Sequence, residues 1–200
     1  MCIRDRYQTT YQPAPDYFRP MWAGFGVNCN GRIICGAGRD NYWNDCGMTY
    51  DDCTNELNNV FEFRNNMFTQ IKPLKMKRRY CSSLYIPLAL QNHDGLLLVA
   101  GSYWGEGENT MEYLMIKDNI KNNDWILCDD NLPANLRFHQ MNLLQNKLIL
   151  TGGWINGSSS NKVWLGTISF NKQLRVNWSP LPPMMAVSYT HLTLPTNREV

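Results

Sequence analysis

The sequence lacks several features that would assign a function directly. Its 200 residues carry a net charge of only +2, with 18% charged side chains, so the charge does not indicate a nucleic-acid or acidic-membrane partner. No apolar run approaches the roughly 18 residues that a membrane-spanning helix requires. No CxxC pair occurs, and there are only three histidines, which argues against a structural zinc site.

The composition favours a folded chain made of short elements. Hydrophobic residues make up 44% and aromatic residues 12% of the sequence, which is too apolar for a disordered chain and enough for a sizeable core. The sequence also has 14 glycines, 10 prolines and many asparagines. These residues favour tight turns between short strands over a few long helices. We therefore expect an all-β chain.

The two ends of the sequence differ from the rest. Residues 1–6 (MCIRDR) and residues 187–196 (VSYTHLTLPT) resemble translations of the transposase adapter used in tagmentation sequencing libraries. We therefore exclude residues 1–6 and 187–200 from fold reasoning and base it on residues 7–186. On this interpretation the first methionine is not a true start, and the absence of a signal peptide carries no information.

An internal repeat organises residues 7–186. Three short aliphatic segments, at 32–36, 97–101 and 148–153, each end in glycine, and each is followed by an alternating strand, an aromatic residue, a proline-containing turn and an arginine. The spacing of these landmarks is nearly constant, which indicates repeated units with loop insertions. The units are predicted at about 19–75, 79–135 and 137–183, after the tail of an earlier unit at 7–18.

Each unit has room for a four-stranded sheet. In the third unit the strands are predicted at about 138–144, 147–151, 163–170 and 175–179, with turns at Asn146 and at Asn156-Gly157. Asn30-Gly31 and Asp94-Gly95 predict the hairpin between strands one and two of the earlier units. One such sheet cannot bury both faces alone, so each must stack on the next, and radial stacking gives a β-propeller.

These landmarks resemble those of kelch repeats, which carry glycines after strand two, aromatic residues on strands three and four, and a Leu-Pro turn before an arginine. The resemblance implies a partial β-propeller of about three four-stranded blades, with the remaining blades missing from this chain and sheet faces exposed. The matched aromatic residues of strand three are Phe61 or Phe63, Tyr113 and Trp164. The other matched positions are Gly36, Gly101, Gly152, Gly153, Phe68, Trp125, Trp178, Arg19, Arg79 and Arg137.

Bulky aromatic residues follow each glycine turn. Equivalent loops of a propeller emerge at one end, so we expect these side chains to form one rim that binds a protein ligand. The alternative is that each ring packs against its own sheet. The candidate rim residues are Arg39, Tyr42, Trp43, Tyr103, Trp104 and Trp154.

Other reactive or charged groups give weaker signals. The basic run 72–79 is interpreted as a solvated connection between units. Cys46 and Cys53 lie in one polar loop, where a disulfide is an open alternative. His93 falls in a predicted hairpin turn and His139 at a strand-one packing position. We therefore expect no catalytic residue, no metal and no cofactor.

The expected function is a non-catalytic scaffold for protein interaction, with no nucleic-acid or membrane partner. The kelch resemblance implies a substrate adaptor of a ubiquitin ligase or an actin-associated module. The alternative is a fragment of a copper radical oxidase similar to galactose oxidase, or of a secreted carbohydrate-binding propeller. A cytoplasmic location is expected, with secretion left open.

Overall fold

The computed structural model describes residues 21–40, 57–90, 93–102, 108–117 and 119–185. The regular structure of these ranges is made of β-strands, which confirms the predicted all-β class. None of the described residues belongs to a helix with the length and hydrophobicity needed to cross a lipid bilayer. The strands are β1 Met21–Trp22, β2 Phe25–Cys29, β3 Arg32–Gly36, β4 Arg39–Asp40, β5 Val60–Arg64, β6 Met67–Ile71, β7 Ser82–Leu90, β8 His93–Ala100, β9 Met111–Ile116, β10 Ile126–Leu127, β11 Gln140–Leu144, β12 Lys147–Thr151, β13 Trp154–Ile155, β14 Ser158–Ser159, β15 Val163–Asn171 and β16 Gln173–Leu181.

Three four-stranded antiparallel sheets follow one another along the chain. The first sheet has the order β2-β3-β5-β6, the second β7-β8-β9-β10 and the third β11-β12-β15-β16. Two short ribbons, β1-β4 and β13-β14, stand apart from these sheets. Each sheet is thus an up-and-down meander. The strands of the third sheet agree with the segments predicted for the third unit to within a few residues.

Asparagine-rich turns close several of the hairpins. Asn30 and Gly31, between β2 and β3, have φ values of 53° and 84°. Asn65 and Asn66, between β5 and β6, have φ values of 52° and 59°. Two successive residues with positive φ form the turn whose twist matches that of the flanking strands, and asparagine and glycine adopt this conformation at low cost.

The predicted hairpin between strands one and two of the second unit is present, but its turn does not lie at Asp94-Gly95. Both residues lie within β8, where Gly95 pairs with Pro87 and His93 pairs with Leu90. The register shifts between these two pairs. Proline has no N–H to give to the ladder and is tolerated in a strand at such a bulge. The strand therefore continues past Pro87 as far as Leu90.

The glycine motif of the first unit lies one residue later than predicted. In the third unit Gly152 and Gly153 follow the end of β12 and have φ values of 64° and 89°. In the first unit the residues that follow β3 are Ala37 and Gly38, with φ values of 58° and 92°. Gly36, the predicted repeat glycine, is instead the last residue of β3, and a Cβ atom there would collide with backbone of the neighbouring strand.

The second sheet is buried on both faces. Along β8, Leu97 and Val99 face the first sheet, whereas Leu96 and Leu98 face the third, because successive side chains of a strand point to opposite faces. The core between the first and second sheets also includes Phe25, Ile34, Val60, Ile71, Leu114 and Trp125. The core between the second and third sheets includes Tyr113, Met141, Leu148, Leu150, Trp164 and Val176.

The first strands of the three sheets lie next to one another, with β7 between β2 and β11. Ala23, Tyr80 and Phe138 precede these strands and have φ values of 59°, 54° and 57°. The N–H of Tyr80 donates to the carbonyl of Ala23 at 2.8 Å, and the N–H of Phe138 donates to the carbonyl of Tyr80 at 3.1 Å. Backbone hydrogen bonds therefore join each sheet to the next at one repeated position.

Candidate functional site

Two of the six predicted rim residues fall within the described structure. Arg39 is buried and pairs through its backbone with Trp22. Trp154 is half-buried, and its backbone N–H donates to the carbonyl of Arg137 at 2.8 Å. The remaining candidates, Tyr42, Trp43, Tyr103 and Trp104, lie outside the described residues.

Arg39 and Trp154 occupy equivalent places in the first and third units. Each follows a pair of residues with positive φ, and each pairs with the residue just before the left-handed position at the start of strand one. The left-handed pair turns the chain back towards strand one, so the following side chain is brought to the end of the sheet. The backbone thus places two of the predicted rim positions at the same end of their sheets.

A pocket of about 260 Å³ opens beside Trp154. Ser102 and Glu108 line it from the second unit, and the connection to the third unit contributes Asn135 and Arg137. The guanidinium carbon of Arg137 lies 5.8 Å from the centroid of the Trp154 ring, within the range of a cation–π interaction. The pocket therefore combines an aromatic ring with charges of both signs at the junction of two units. Asn156 and Gly157 complete its lining.

Ser102 lies in the wall of this pocket. It is 1% exposed, and its inaccessible Oγ atom has no hydrogen-bond partner among the described residues. Asn135 and Asn156 also line the pocket, and their amides can donate and accept hydrogen bonds.

The predicted repeat arginines take different environments. Arg79 is buried, whereas Arg137 is half-buried, and each directly precedes the left-handed residue before strand one. In the first unit Trp22 holds this place in the chain, because it precedes the left-handed Ala23. Arg19, which was matched to these arginines from the sequence, lies outside the described residues.

The aromatic residues of strand four share one register position. Phe68 pairs with Phe63 of strand three, and Trp178 pairs with Gly166. Trp125 directly precedes β10 and is fully buried in the core between the first two sheets. Its indole Nε1–H donates to the carbonyl of Lys72 at 2.9 Å. This ring thus joins the second sheet to the loop that ends the first unit.

The aromatic residues of strand three do not share a register position. Strand three begins at Met111 in the second unit and at Val163 in the third, and each of these residues pairs with the last residue of strand two. Trp164 is the second residue of its strand and therefore corresponds to Glu112, whereas Tyr113 lies one residue later. Tyr113 consequently faces the third sheet from the second, and Trp164 faces the second sheet from the third. Both rings enter the same core from opposite sides.

Glu112 binds a buried arginine instead. Both side chains of the Arg78–Glu112 ion pair are 0% exposed, and Arg78 Nε lies 2.7 Å from Glu112 Oε1. The guanidinium also donates to the carbonyls of Gly101 and Thr110 at 3.0 and 3.1 Å, and Glu112 Oε2 accepts the N–H of Lys75 at 2.7 Å. The interpretation of 72–79 as a solvated connection is therefore wrong for Arg78, and sequence reasoning missed this inter-unit link.

His139 packs between the second and third units. Its Nε2 atom lies 2.7 Å from the hydroxyl oxygen of Ser82, and a Cβ atom on Gly101 or Gly153 would collide with its side chain or backbone. Burial, and secondarily the positive charge of Arg78, lower the pKa of His139 from 6.5 to about 4. The imidazole is therefore neutral at physiological pH, which suits a packing residue. The side chain of His93 lies outside the part of the structure that is described.

A second cleft, of about 410 Å³, opens where the first strands begin. The rings of Tyr80 and Phe138 meet there with centroids 4.1 Å apart. The cleft is also lined by Ser82, His139 and the β2 residues Phe25 and Gly26. Because Ser82 and His139 already bind each other, this cleft has a less evident binding role than the pocket beside Trp154.

Sequence reasoning also missed a repeated asparagine two residues before each third strand. The carbonyls of Asn58, Asn109 and Asn161 accept the N–H groups of Leu74, Leu132 and Met184 at 2.8, 2.7 and 2.9 Å. The side-chain amides of Asn58 and Asn161 donate to the carbonyls of Leu74 and Met184, each at 3.1 Å. The asparagines tie the loop after strand four to their own sheet. Their equal offset from strand three was the available sequence signal.

The described cysteines, Cys29, Cys35, Cys81 and Cys128, form no disulfide with one another. Burial raises the pKa values of Cys29, Cys81 and Cys128 to about 12, so these thiols stay protonated and are poor nucleophiles at neutral pH. The open alternative of a Cys46–Cys53 disulfide lies outside the described residues. Within the described ranges, no group of three or more His, Cys, Asp or Glu residues is placed to hold a metal ion.

No family model matches this chain, and no curated protein matches it significantly. The resemblance to kelch repeats therefore stays a prediction that rests on the residues and their spacing.

Proposed function

We propose that the three sheets are consecutive blades of a partial β-propeller of the kelch type. The stacking of the sheets supports this arrangement, because the second sheet is buried between the other two. The adjacent first strands and the hydrogen bonds from Tyr80 to Ala23 and from Phe138 to Tyr80 also support it. Contacts of this kind support strand one as the inner strand of each unit, which is the arrangement that a central axis requires.

We further propose that the chain is a non-catalytic scaffold that binds a protein ligand at the ends of its sheets. The observation that carries this proposal is the pocket in which Trp154, Arg137 and Glu108 meet between two units. Tryptophan and arginine dominate the energetics of protein interfaces, where they fill or line pockets at the centre of the contact. The proposed ligand places a polar side chain into this pocket.

The pocket suits a polar side chain because its lining offers both donors and acceptors. Glu108 provides an acceptor, and the amides of Asn135 and Asn156 provide both donors and acceptors. The indole of Trp154 supplies an apolar wall. The resemblance extends the proposal to a substrate adaptor of a ubiquitin ligase or an actin-associated module. The role of His139 in packing gives no specific support to the rival copper oxidase.

The proposal is tested by capture of partners from a cell lysate with the wild type and with a variant in which Trp43, Trp104 and Trp154 are changed to alanine. We expect about tenfold or greater loss of the recovered partners, because interface tryptophans commonly contribute 2 kcal/mol or more. Quantitative mass spectrometry measures the recovery. Leu144→Ala is the matched control, since Leu144 is exposed at the hairpin between β11 and β12, at the opposite end of the third sheet from Trp154. Equal recovery by a folded triple variant contradicts the proposal.

A further inference from the structure

The sequence contains two Asn-Gly pairs, and both lie in exposed turns between strands. Asn30-Gly31 joins β2 to β3, and Asn156-Gly157 joins β13 to β14. Both glycines have a φ of 84°, and nothing lies within 4 Å of the Cβ position of either one. The two pairs therefore share sequence, exposure and glycine conformation, so that a difference in their chemistry comes from their surroundings.

An Asn-Gly pair can undergo a reaction that needs no enzyme. The backbone nitrogen of the glycine attacks Cγ of the asparagine, and the side-chain nitrogen leaves as ammonia, so that a cyclic succinimide forms. Solvent accepts the proton of the glycine N–H and supplies the proton that the departing nitrogen takes up. Water then opens the ring at the side-chain carbonyl, which gives aspartate, or at the main-chain carbonyl, which gives isoaspartate. Glycine favours the reaction because it has no side chain to shield its nitrogen.

The two glycine nitrogens differ in their hydrogen bonds. The N–H of Gly31 donates to Oδ1 of Asn28 at 2.8 Å. Within the described ranges, the N–H of Gly157 donates to no acceptor. A nitrogen whose proton is held in a hydrogen bond has to lose that bond before it can attack. The nitrogen of Gly157 is therefore the more available of the two.

The strands that hold the two turns also differ. The ribbon of β13 and β14 has two residue pairs and stands apart from the four-stranded sheets. In contrast, β2 and β3 pair over five residues within the first sheet. A short two-stranded ribbon is marginally stable. The turn at Asn156 should therefore open more easily into conformations in which the nitrogen and Cγ meet.

We propose that Asn156 is a site of spontaneous deamidation that changes the charge of the pocket beside Trp154. Asn156 and Gly157 line this pocket together with Glu108. Deamidation replaces an amide, which donates and accepts hydrogen bonds, with a carboxylate that only accepts them. The lining then gains a negative charge, and the isoaspartyl product also lengthens the main chain of the turn. The consequence for ligand binding rests on the proposed function, whereas the reaction itself does not.

The experiment incubates the folded full chain at mildly alkaline pH and follows both asparagines by peptide mapping with mass spectrometry. We expect Asn156 to react about tenfold or more faster than Asn30, because a hydrogen bond and a longer strand pairing protect Asn30. In denaturing urea the two asparagines should react at similar rates, since neither form of protection survives unfolding. Digestion of a fresh sample gives the background of the mapping procedure.

The variant Asn28→Ala tests the cause of the difference. It removes the acceptor of the Gly31 N–H, so it should accelerate the reaction of Asn30 and leave the rate at Asn156 unchanged. Asn142→Ala is the matched control, because Asn142 is an exposed asparagine in the first strand of the third sheet. This control should alter neither rate.

Two results overturn the proposal: a rate at Asn156 that is equal to or lower than the rate at Asn30 in the folded chain, or no reaction at Asn156 at all. An unchanged rate of Asn30 in Asn28→Ala overturns the hydrogen bond as the cause of protection.

The effect on the pocket is measured by capture of partners from a lysate with fresh and incubated samples. Incubation should lower recovery about threefold or more for the wild type and leave it unchanged for Asn156→Gln, whose longer side chain closes the ring far more slowly. Equal recovery by fresh and fully deamidated wild type overturns the effect on the pocket. If the fresh chain captures no partner, the proposed function fails, whereas the two rates still decide the deamidation.

Discussion

At the scale of the residue, the buried ion pair of Arg78 and Glu112 shows how context changes the role of a charge. Arg78 stands in a basic run, yet it is enclosed between two units and donates to Glu112, Gly101 and Thr110. Removing one partner of such a pair leaves the other charge buried without compensation, which is far more costly than losing an exposed pair. Arg78 is therefore a structural link between units.

Replacing Arg78 with methionine is expected to lower the free energy of unfolding by about 3–5 kcal/mol, because the carboxylate of Glu112 then stays buried without its cation. Urea denaturation measures the loss. Lys72→Met is the matched control, since Lys72 binds Asp124 at 2.9 Å at the surface and its removal should change stability little. Similar effects of the two substitutions would show that the Arg78–Glu112 pair contributes no more than a surface contact.

His139 provides a pH-dependent contribution to stability. The folded protein holds the pKa of this group at about 4, against 6.5 for an ordinary histidine. His139 of the unfolded chain therefore binds a proton at a higher pH than His139 of the folded protein. The contribution of this residue to stability is fully present above about pH 6.5 and is lost as the pH falls towards 4. The cause is burial between the units, reinforced by the nearby charge of Arg78.

The variant His139→Gln should remove this dependence. We expect the free energy of unfolding of the wild type to fall relative to that of the variant by about 3 kcal/mol between pH 7 and pH 4. Chemical denaturation at several pH values measures the difference, and the carboxyl groups common to both proteins cancel. Parallel pH profiles for the two proteins would show that His139 does not titrate differently on folding.

At the scale of the element, a glycine after strand two lets the chain pass close to the start of strand one. Gly153 has a φ of 89°, and a Cβ atom there would meet the carbonyl of Arg137 and the side chain of His139 within 3 Å. Gly157 has a similar φ of 84°, but nothing lies within 4 Å of its Cβ position. A substitution at Gly157 therefore tests backbone strain alone, whereas one at Gly153 tests backbone strain together with steric contact.

Gly157→Ala should cost about 1–2 kcal/mol of stability, from the left-handed backbone alone. Gly153→Ala should cost a further 1–3 kcal/mol or so, because the added methyl group also collides with Arg137 and His139. Thermal unfolding of the two variants, converted to free energies, measures the difference. Equal losses would mean that the chain at Arg137 and His139 can move aside without cost.

Many elements could be predicted because their signals are local. The strands β3, β12 and β15 follow aliphatic or alternating patterns, and Asn30-Gly31 marks a two-residue turn that only a few residue types adopt readily. The turn at Asp94-Gly95 failed because the extended pairing of β7 with β8 overrode a favourable turn sequence. Local propensity decides a turn where no neighbouring strand competes for the same backbone.

At the scale of the whole molecule, stability depends on pairs of sheets. Each of the two cores draws its side chains from adjacent sheets, so neither the first nor the third sheet buries its apolar face without the second. Repeat proteins share this nearest-neighbour dependence. The outer faces of the first and third sheets follow the same register as the faces between the sheets.

The candidate site could be predicted only in part. The sequence located Trp154 and Arg39 after equivalent turns, because backbone positions with positive φ favour glycine and glycine can be recognised in the sequence. It could not show that Ser102, Glu108 and Asn135 line a pocket with Trp154. These residues come from different segments, and their meeting depends on how two sheets stack.

By itself the sequence determined the all-β class, the repeat and most strand positions, because backbone conformation and alternation of apolar residues are properties of neighbouring residues. Only the tertiary structure decided that Arg78 and Glu112 form a buried pair, that His139 is held neutral, and that asparagines anchor the loop after strand four. These features depend on distances between segments far apart in the chain and on the exclusion of water from the junctions, neither of which is encoded in any single unit.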